Sequence, residues 1–255
     1  MGAIPNTIDV APGTNIGMVI GLACSGRLIT PELVVAMQVQ PNPTHFSSAT
    51  ICIKNQPVHI AREIIADKAV EVGAKFLWFV DDDTIPPPNT VRRLIYVLEN
   101  HPTIKVCGGV YVTKSDPPQP VIFRGKGLGS FWKWKVGDVF EVTGMGAGCM
   151  MINCDVFKHL PKPWFGWEET NSFTPDVPST LVSEDISFCD KVRAAGFKVF
   201  AHGGVLCDHF DCNTGETFQL PPDSYPYSAE TTDLETVPTP ELANMLPLEK
   251  EKEGN

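Results

Sequence analysis

The sequence has no run of about 18 apolar residues, the length needed to cross the hydrocarbon core of a bilayer, so no segment reads as a membrane-spanning helix. The first apolar stretch, Ile16 to Cys24, has no Lys or Arg before it and no small-residue cleavage site after it. A secretory signal is therefore not expected, and the expected location is cytoplasmic. Gly2 is not followed by the Ser or Thr at position 6 that N-myristoylation prefers, because Asn6 stands there. Eight cysteines are scattered with no CxxC pair, and several lie in apolar runs where a free thiol acts as a small hydrophobe. His202, Cys207, His209 and Cys212 cluster in sequence, but their spacing matches no common zinc pattern. No basic stripe relieves the net charge of −10, which argues against a large nucleic-acid footprint. Internal repeats are absent too.

What is present suits one α/β domain: 255 residues, 43% hydrophobic. The acidity is uneven. From Asp223 onward there are eight acids against two lysines, and the stretch reads as an acidic, Pro-rich tail. The expected organisation is a surface segment over 1–15, one domain over 16–222, and the tail over 223–255.

The most informative stretch is FLWFVDDDTIPPP, Phe76 to Pro88. Phe76 to Val80 has the length and composition of a buried strand, and it gives way at once to Asp81, Asp82 and Asp83. Pro86 to Pro88 prevent regular structure until about Asn89, so the acids sit on a fixed turn. Adjacent carboxylates repel, and a divalent ion is one natural compensator. Mg²⁺ or Mn²⁺ takes one or two protein carboxylates and completes its shell with water and phosphate oxygens. A plain acidic turn is the alternative.

Around this stretch the patterns alternate between strand and helix, which predicts an α/β sandwich with a mainly parallel sheet. Ile16 to Cys24 reads as the first strand, followed by a Ser25-Gly26-Arg27 turn beyond its carboxyl end, where ligands of open α/β sheets sit. Pro31 to Val39 reads as a helix, Ser48 to Ile53 as a strand, and His59 to Val72 as a helix that Gly73 stops. Asn89 to Glu99 is an amphipathic helix, and Thr103 to Tyr111 a strand with a Gly108-Gly109 pair that permits close backbone approach. Lys114 to Asp138 is irregular, carries Phe131, Trp132 and Trp134, and reads as an excursion near an acceptor. Val139 to Ile152 combines strand residues with Gly144, Gly146 and Gly148, without the GxxxxGK[ST] spacing of a P-loop. Pro161 to Trp167 is an aromatic loop that, with Glu168 and Glu169, would either stack on a sugar or plug the core. Ser183 reads as the N-cap of a helix over Ile186 to Ala195, which by itself accounts for Glu184 and Asp185 in the first turn. Phe197 to Phe200 and Val205 to Phe210 read as two short strands.

An apolar strand, a D-x-D, prolines and an amphipathic helix, together with the later "sEDixfcxkxrxxGxkv" pattern, resemble GT-A-fold glycosyltransferases of the family 2-like kind over about Ile16 to Phe210. The resemblance implies the nucleotide-diphospho-sugar transferase fold and a nucleotide-sugar donor. It implies Mn²⁺ or Mg²⁺ on Asp81, Asp83 and His209, with His202 the competing histidine. On the donor side it implies Asp81, Asp82, Arg62, Arg27, the Gly108-Gly109 element and Gly146, whose small-residue strand would underlie the sugar. Arg62 also reads as a solvated helix arginine paired with Glu63 or Asp67. The acidic motif implies Asp185 as general base, if the reaction inverts, with Glu184 orienting it or the acceptor. The acceptor class stays open between glycan, protein, lipid, small molecule and modified nucleic acid. A sugar-phosphate nucleotidyltransferase and a non-catalytic nucleotide-sugar- or carbohydrate-binding protein are the alternatives.

Overall fold

The structure, a computed structural model, describes residues 16–24, 26, 29–41, 47–125, 127–170 and 180–220. The expected surface segment over 1–15, the tail over 223–255, and Ser25 and Arg27 lie outside the described residues. In chain order the first half comprises β1 (Ile16–Cys24), α1 (Pro31–Gln38), β2 (Ser47–Lys54), α2 (Val58–Glu71), β3 (Phe76–Asp81), β4 (Thr84–Ile85), α3 (Thr90–Asn100) and β5 (Ile104–Val110). The second half comprises β6 (Ile122–Phe123), β7 (Val139–Val142), β8 (Gly144–Met145), β9 (Cys149–Asn153), β10 (Glu168–Thr170), β11 (Thr180–Val182), α4 (Glu184–Ala194), β12 (Lys198–Leu206), β13 (Asp208–Phe210) and β14 (Thr217–Phe218). No helix among the described residues is long and apolar enough to cross a membrane.

A seven-stranded sheet in the order β2-β1-β3-β9-β5-β12-β7 forms the centre. β2, β1, β3, β5 and β12 run in one direction, and β9 and β7 run against them. This is the mainly parallel α/β sandwich that the alternating patterns predict. β3 shows why the centre holds. It is apolar on both faces, as a strand covered by helices on both sides must be. Leu77 and Phe79 enter the cluster that contains Ile65 of α2 and Phe188 of α4. Phe76, Trp78 and Val80 enter the opposite cluster with Leu33 of α1 and Leu94 of α3. Phe79 packs edge-on to Phe165, which stacks on Phe188 at 4.5 Å, so the aromatic loop closes one face of the sheet.

Chain stops follow from local chemistry. Gly73 and Gly196, at φ of +70° and +86°, take the left-handed position just beyond α2 and α4, where a side chain is strained. After the three prolines, Asn89 is left-handed and α3 begins at Thr90, whose hydroxyl donates to the Pro87 carbonyl at 2.7 Å.

Three stretches depart from the sequence expectation. Val139 to Ile152 is not one strand but β7, β8 and β9, because the chain turns at its glycines and β9 inserts antiparallel between β3 and β5. Conversely, Lys198 to Leu206 is one strand, since an irregularity between His202 and Leu206 carries the pairing past Gly203-Gly204. The aromatic excursion is partly core: Trp134 is buried and stacks on Phe140 at 5.5 Å.

The Gly108-Gly109 pair permits close approach, but the approaching groups belong to the protein. A Cβ on Gly108 would stand 2.2 Å from Met145 Cε and 2.6 Å from the Cys149 carbonyl oxygen. Gly108→Ala is expected to overpack this strand contact by about 1–3 kcal/mol, lowering the melting temperature by roughly 2–12 °C. An unchanged thermal melt would contradict that packing.

Candidate functional site

β1 and β3 lie side by side and end together, at Cys24 and Asp81, and the carboxyl ends of such strands are where open α/β sheets bind ligands. A cleft of about 340 Å³ opens there, lined by Ala23, Cys24, Gln56, Val58, Asp81, Asp82 and Asp83. The three aspartates diverge in environment within one turn. Asp81 ends the strand, Asp82 is buried, and Asp83 leads into β4.

Asp81 is held by Arg62. The Arg62 side chain rises from α2, is 3% exposed, and one terminal nitrogen donates to both carboxylate oxygens of Asp81, at 2.7 and 2.9 Å. The other terminal nitrogen donates to Glu184 Oε1 at the start of α4. The guanidinium thus ties the D-x-D turn to the second acidic motif. Burial works against its charge, but Asp81 and Glu184 outweigh that and raise its pKa. Burial also pushes the carboxyls of Asp81 and Glu184 upward against the pull of Arg62. Arg62 therefore neither stands in solvent beside Glu63 and Asp67 nor offers its fork to a ligand. It is committed to two acids.

Asp83 is held differently. β4 pairs antiparallel with β13, opposing Thr84 to His209, and the Phe210 amide donates to the Asp83 carbonyl at 2.8 Å. This small sheet sets His209 Nε2 3.4 Å from Asp83 Oδ1. His209 Nδ1 is 2.6 Å from the Val112 carbonyl, which can only accept, so Nδ1 carries a proton. The remaining ring nitrogen, Nε2, faces Asp83, and it is the atom through which a neutral histidine ring would ligate a metal. Asp83 Oδ2 accepts from Lys114 Nζ at 2.6 Å. Burial alone would raise the Asp83 carboxyl, but His209 and Lys114 hold it down to about 2. Tyr111 completes the corner, edge-on to His209 at 5.2 Å, with its hydroxyl accepting from the Gly148 amide at 3.3 Å.

Glu184 and Asp185 part company as well. Glu184 is 4% exposed and bound to Arg62. Asp185 is half-buried, and Oδ1 alone takes the Ser183 hydroxyl and the Ile186 amide, the latter at 2.8 Å. Ser183 occupies the N-cap position but spends its hydroxyl on Asp185 rather than on the helix backbone. Neither of these bonds uses Oδ2 of Asp185.

The remaining sequence candidates are placed as follows. Gly109 faces Val205 and Cys207, and Gly146 lies under Tyr111 and Val121, so protein side chains fill the space that a donor was expected to use, as they do at Gly108. Arg27 lies outside the described residues. His202 is buried, accepts from the Gly204 amide at 3.1 Å, and is pushed down to about 4 by burial and by Arg93, so it stays a neutral structural histidine. In the aromatic loop Trp164 and Phe165 plug the core, while Trp167 is exposed and donates to His59 Nδ1 at 3.0 Å. Lys114 escaped sequence reasoning. It is a single lysine in a loop, and only the four residues after Gly109-Val110 that carry Tyr111 and Val112 mark its neighbourhood.

The donor set suits a smaller metal site than the sequence suggested. Among the described residues no group of three His, Cys, Asp or Glu side chains converges on one point, and Asp81 is turned to Arg62 instead. Asp83 and His209 do converge. Ligand atoms about 2.1 Å from an octahedral ion lie about 3 Å from one another, so this pair fits two neighbouring positions of an ion that takes its other ligands from water and phosphate.

No protein-family model matches the sequence, and no curated protein matches it. Solved structures do match in fold. A197 from STIV superposes with a TM-score of 0.56 at 15% identity over 80% of this chain and 94% of its own. GalNAc-T7 with UDP, GalNAc and Mn²⁺ follows at 0.49 and 13%, over 77% of this chain and 44% of its own. TarS of S. aureus stands at 0.43 and 11%, over 73% of this chain and 35% of its own. This chain thus spans nearly the whole of A197 and less than half of the other two. At such identities the likeness is one of fold, and the fold is the mixed α/β architecture with a mostly parallel central sheet.

Proposed function

We propose that the protein is a glycosyltransferase that moves a sugar from a nucleotide-diphosphate donor to an acceptor hydroxyl, assisted by Mn²⁺ or Mg²⁺. The observation that carries this reading is the Asp83–His209 pair, 3.4 Å apart at the mouth of the cleft where β1 and β3 end. A carboxylate and an imidazole of fixed tautomer, left short of ligands by the protein, suit an ion whose shell is completed by a diphosphate. The D-x-D and "sEDi" resemblance adds the sugar.

In this reading the donor enters the cleft between Ala23 and Asp83. Asp83 and His209 would hold the ion, which would supply positive charge against the departing nucleotide diphosphate. Arg62 holds Asp81 at the strand end and keeps Glu184 turned inward. Through Glu184 it also fixes the start of α4, where Asp185 stands. Asp185 takes the acceptor proton through Oδ2 as the new bond forms, if the reaction inverts the anomeric centre. Exposed Trp167, fixed by His59, offers a face for the acceptor. A nucleotidyltransferase would carry a Gly-rich N-terminal loop with a basic residue reaching its triphosphate, and Ser25-Gly26-Arg27 is a poor version of that loop.

Two substitutions check the division of labour. Asp83→Asn is expected to abolish the metal dependence of donor binding and turnover. Full activity with unchanged Mn²⁺ dependence would contradict the ion assignment. Asp185→Asn is expected to lower the transfer rate by about 10²–10⁴-fold with donor affinity kept within a few-fold. A loss of donor binding instead would place Asp185 on the donor side.

A further inference from the structure

The cation on Asp83 in this structure is a lysine, and that lysine shares its carboxylate with the proposed ion. Lys114 follows β5 and the Tyr111–Thr113 segment in a braced loop. Val112 bridges Pro120, the Thr113 amide donates to the Gln119 carbonyl at 2.8 Å, and the Thr113 hydroxyl accepts from the Gln119 amide at 2.9 Å. The backbone is thus fixed, and the ammonium stands at the end of a four-carbon stem with three rotatable donors. Its ammonium sits 2.6 Å from Asp83 Oδ2, with both side chains less than one-fifth exposed. The other oxygen of the same carboxylate faces His209. One oxygen of Asp83 thus faces the His209 ring and the other the Lys114 ammonium.

A divalent ion at Asp83 and His209 would stand within a few ångströms of that ammonium, in a site where charges are poorly screened. Both cannot hold the carboxylate at full strength. A released ammonium in a partly buried corner needs a new anion, since an unpaired buried charge is costly. The anion that the proposed function brings to the same edge is a diphosphate.

We infer that Lys114 is an exchange cation: it occupies Asp83 when the site is empty, competes with a divalent ion for that carboxylate, and moves to the diphosphate of the donor when ion and nucleotide bind together. This rests on the proposed transferase reading for the identity of the anion, but not for the competition. Ion and nucleoside diphosphate then bind cooperatively, because each relieves the cost of the other: the ion frees the lysine, and the diphosphate accepts it. A residue that merely braced the loop would affect both ligands alike or neither.

The test is calorimetric titration of the full chain and of its Lys114→Met variant. Each is titrated with MnCl₂ alone, then with uridine, guanosine or adenosine diphosphate in the presence and absence of Mn²⁺. Removing the ammonium is expected to tighten Mn²⁺ binding by about tenfold or more, because a competitor is lost, while weakening Mn²⁺-dependent diphosphate binding by about tenfold. Lys114→Arg is expected to keep the competition and restore most of the diphosphate affinity. Thermal melts of both variants check that they fold. Equal or weaker Mn²⁺ affinity in folded Lys114→Met would overturn the inference, as would the absence of Mn²⁺ binding by either protein. Tighter Mn²⁺ binding with no response to any diphosphate would uphold the competition at Asp83 and overturn both the transfer to diphosphate and the donor reading.

Discussion

A single buried guanidinium fixes the geometry of this site. Arg62 bridges Asp81, at the end of a central strand, and Glu184, at the start of a helix far away in sequence. Arg62 and Glu184 are buried and Asp81 is 24% exposed, and removing one partner from such a buried pair costs about 3–5 kcal/mol because the other is left uncompensated. The clamp therefore joins the two acidic motifs into one rigid edge. Asp81 and Glu184 face inward to the arginine, whereas Asp83 pairs with Lys114 and His209, and Asp185 uses Oδ1 for its two bonds; in the proposed function Asp83 and Asp185 are the acids that meet ligands.

The fold supplies the second condition. β1 and β3 end side by side, and β9 inserted antiparallel next to β3 places Gly148 and Tyr111 beneath the same corner. The short β4–β13 pairing then brings in His209 from the end of the described chain. None of these elements makes the site alone. The central strand sets depth, the small sheet sets the imidazole, and the loop after β5 delivers Lys114 to the carboxylate that the imidazole faces.

Much of this was legible in the sequence, for physical reasons that also explain the failures. β3 announced itself because five apolar residues followed by three acids have no other comfortable arrangement. α2 followed from helical spacing and its stop at Gly73, and α3 from amphipathic spacing after the prolines; the resemblance pointed to Asp83 and His209, which the fold sets side by side. Arg62 was found as a position, but its role came out inverted. Helix arginines usually stand in water, and only the tertiary approach of Asp81 and Glu184 makes burial tolerable. The glycines at 108, 109 and 146 were correctly read as places of close approach. Composition cannot say whether the approaching group is a ligand or Met145, Val205 and Tyr111. Lys114 carried no signal, because its meaning lies entirely in a contact across the β4–β13 corner. The acidic turn, for which the sequence offered an ion as one compensator, meets an arginine, a lysine and a histidine in the structure.

The claim that a metal-assisted nucleotide diphosphate belongs in the cleft meets its sharpest test in thermal melting of the full chain. The panel is nucleoside diphosphates and their sugar conjugates, each with and without Mn²⁺. A ligand that binds only the folded state at 100 times its Kd adds about 2.7 kcal/mol of stability. That would raise the melting temperature by roughly 5–11 °C. The account predicts such a rise for at least one nucleotide only when Mn²⁺ is also present, and its loss in the Asp83→Asn protein. No rise with any nucleotide, or a rise indifferent to Mn²⁺ and to Asp83, would contradict it.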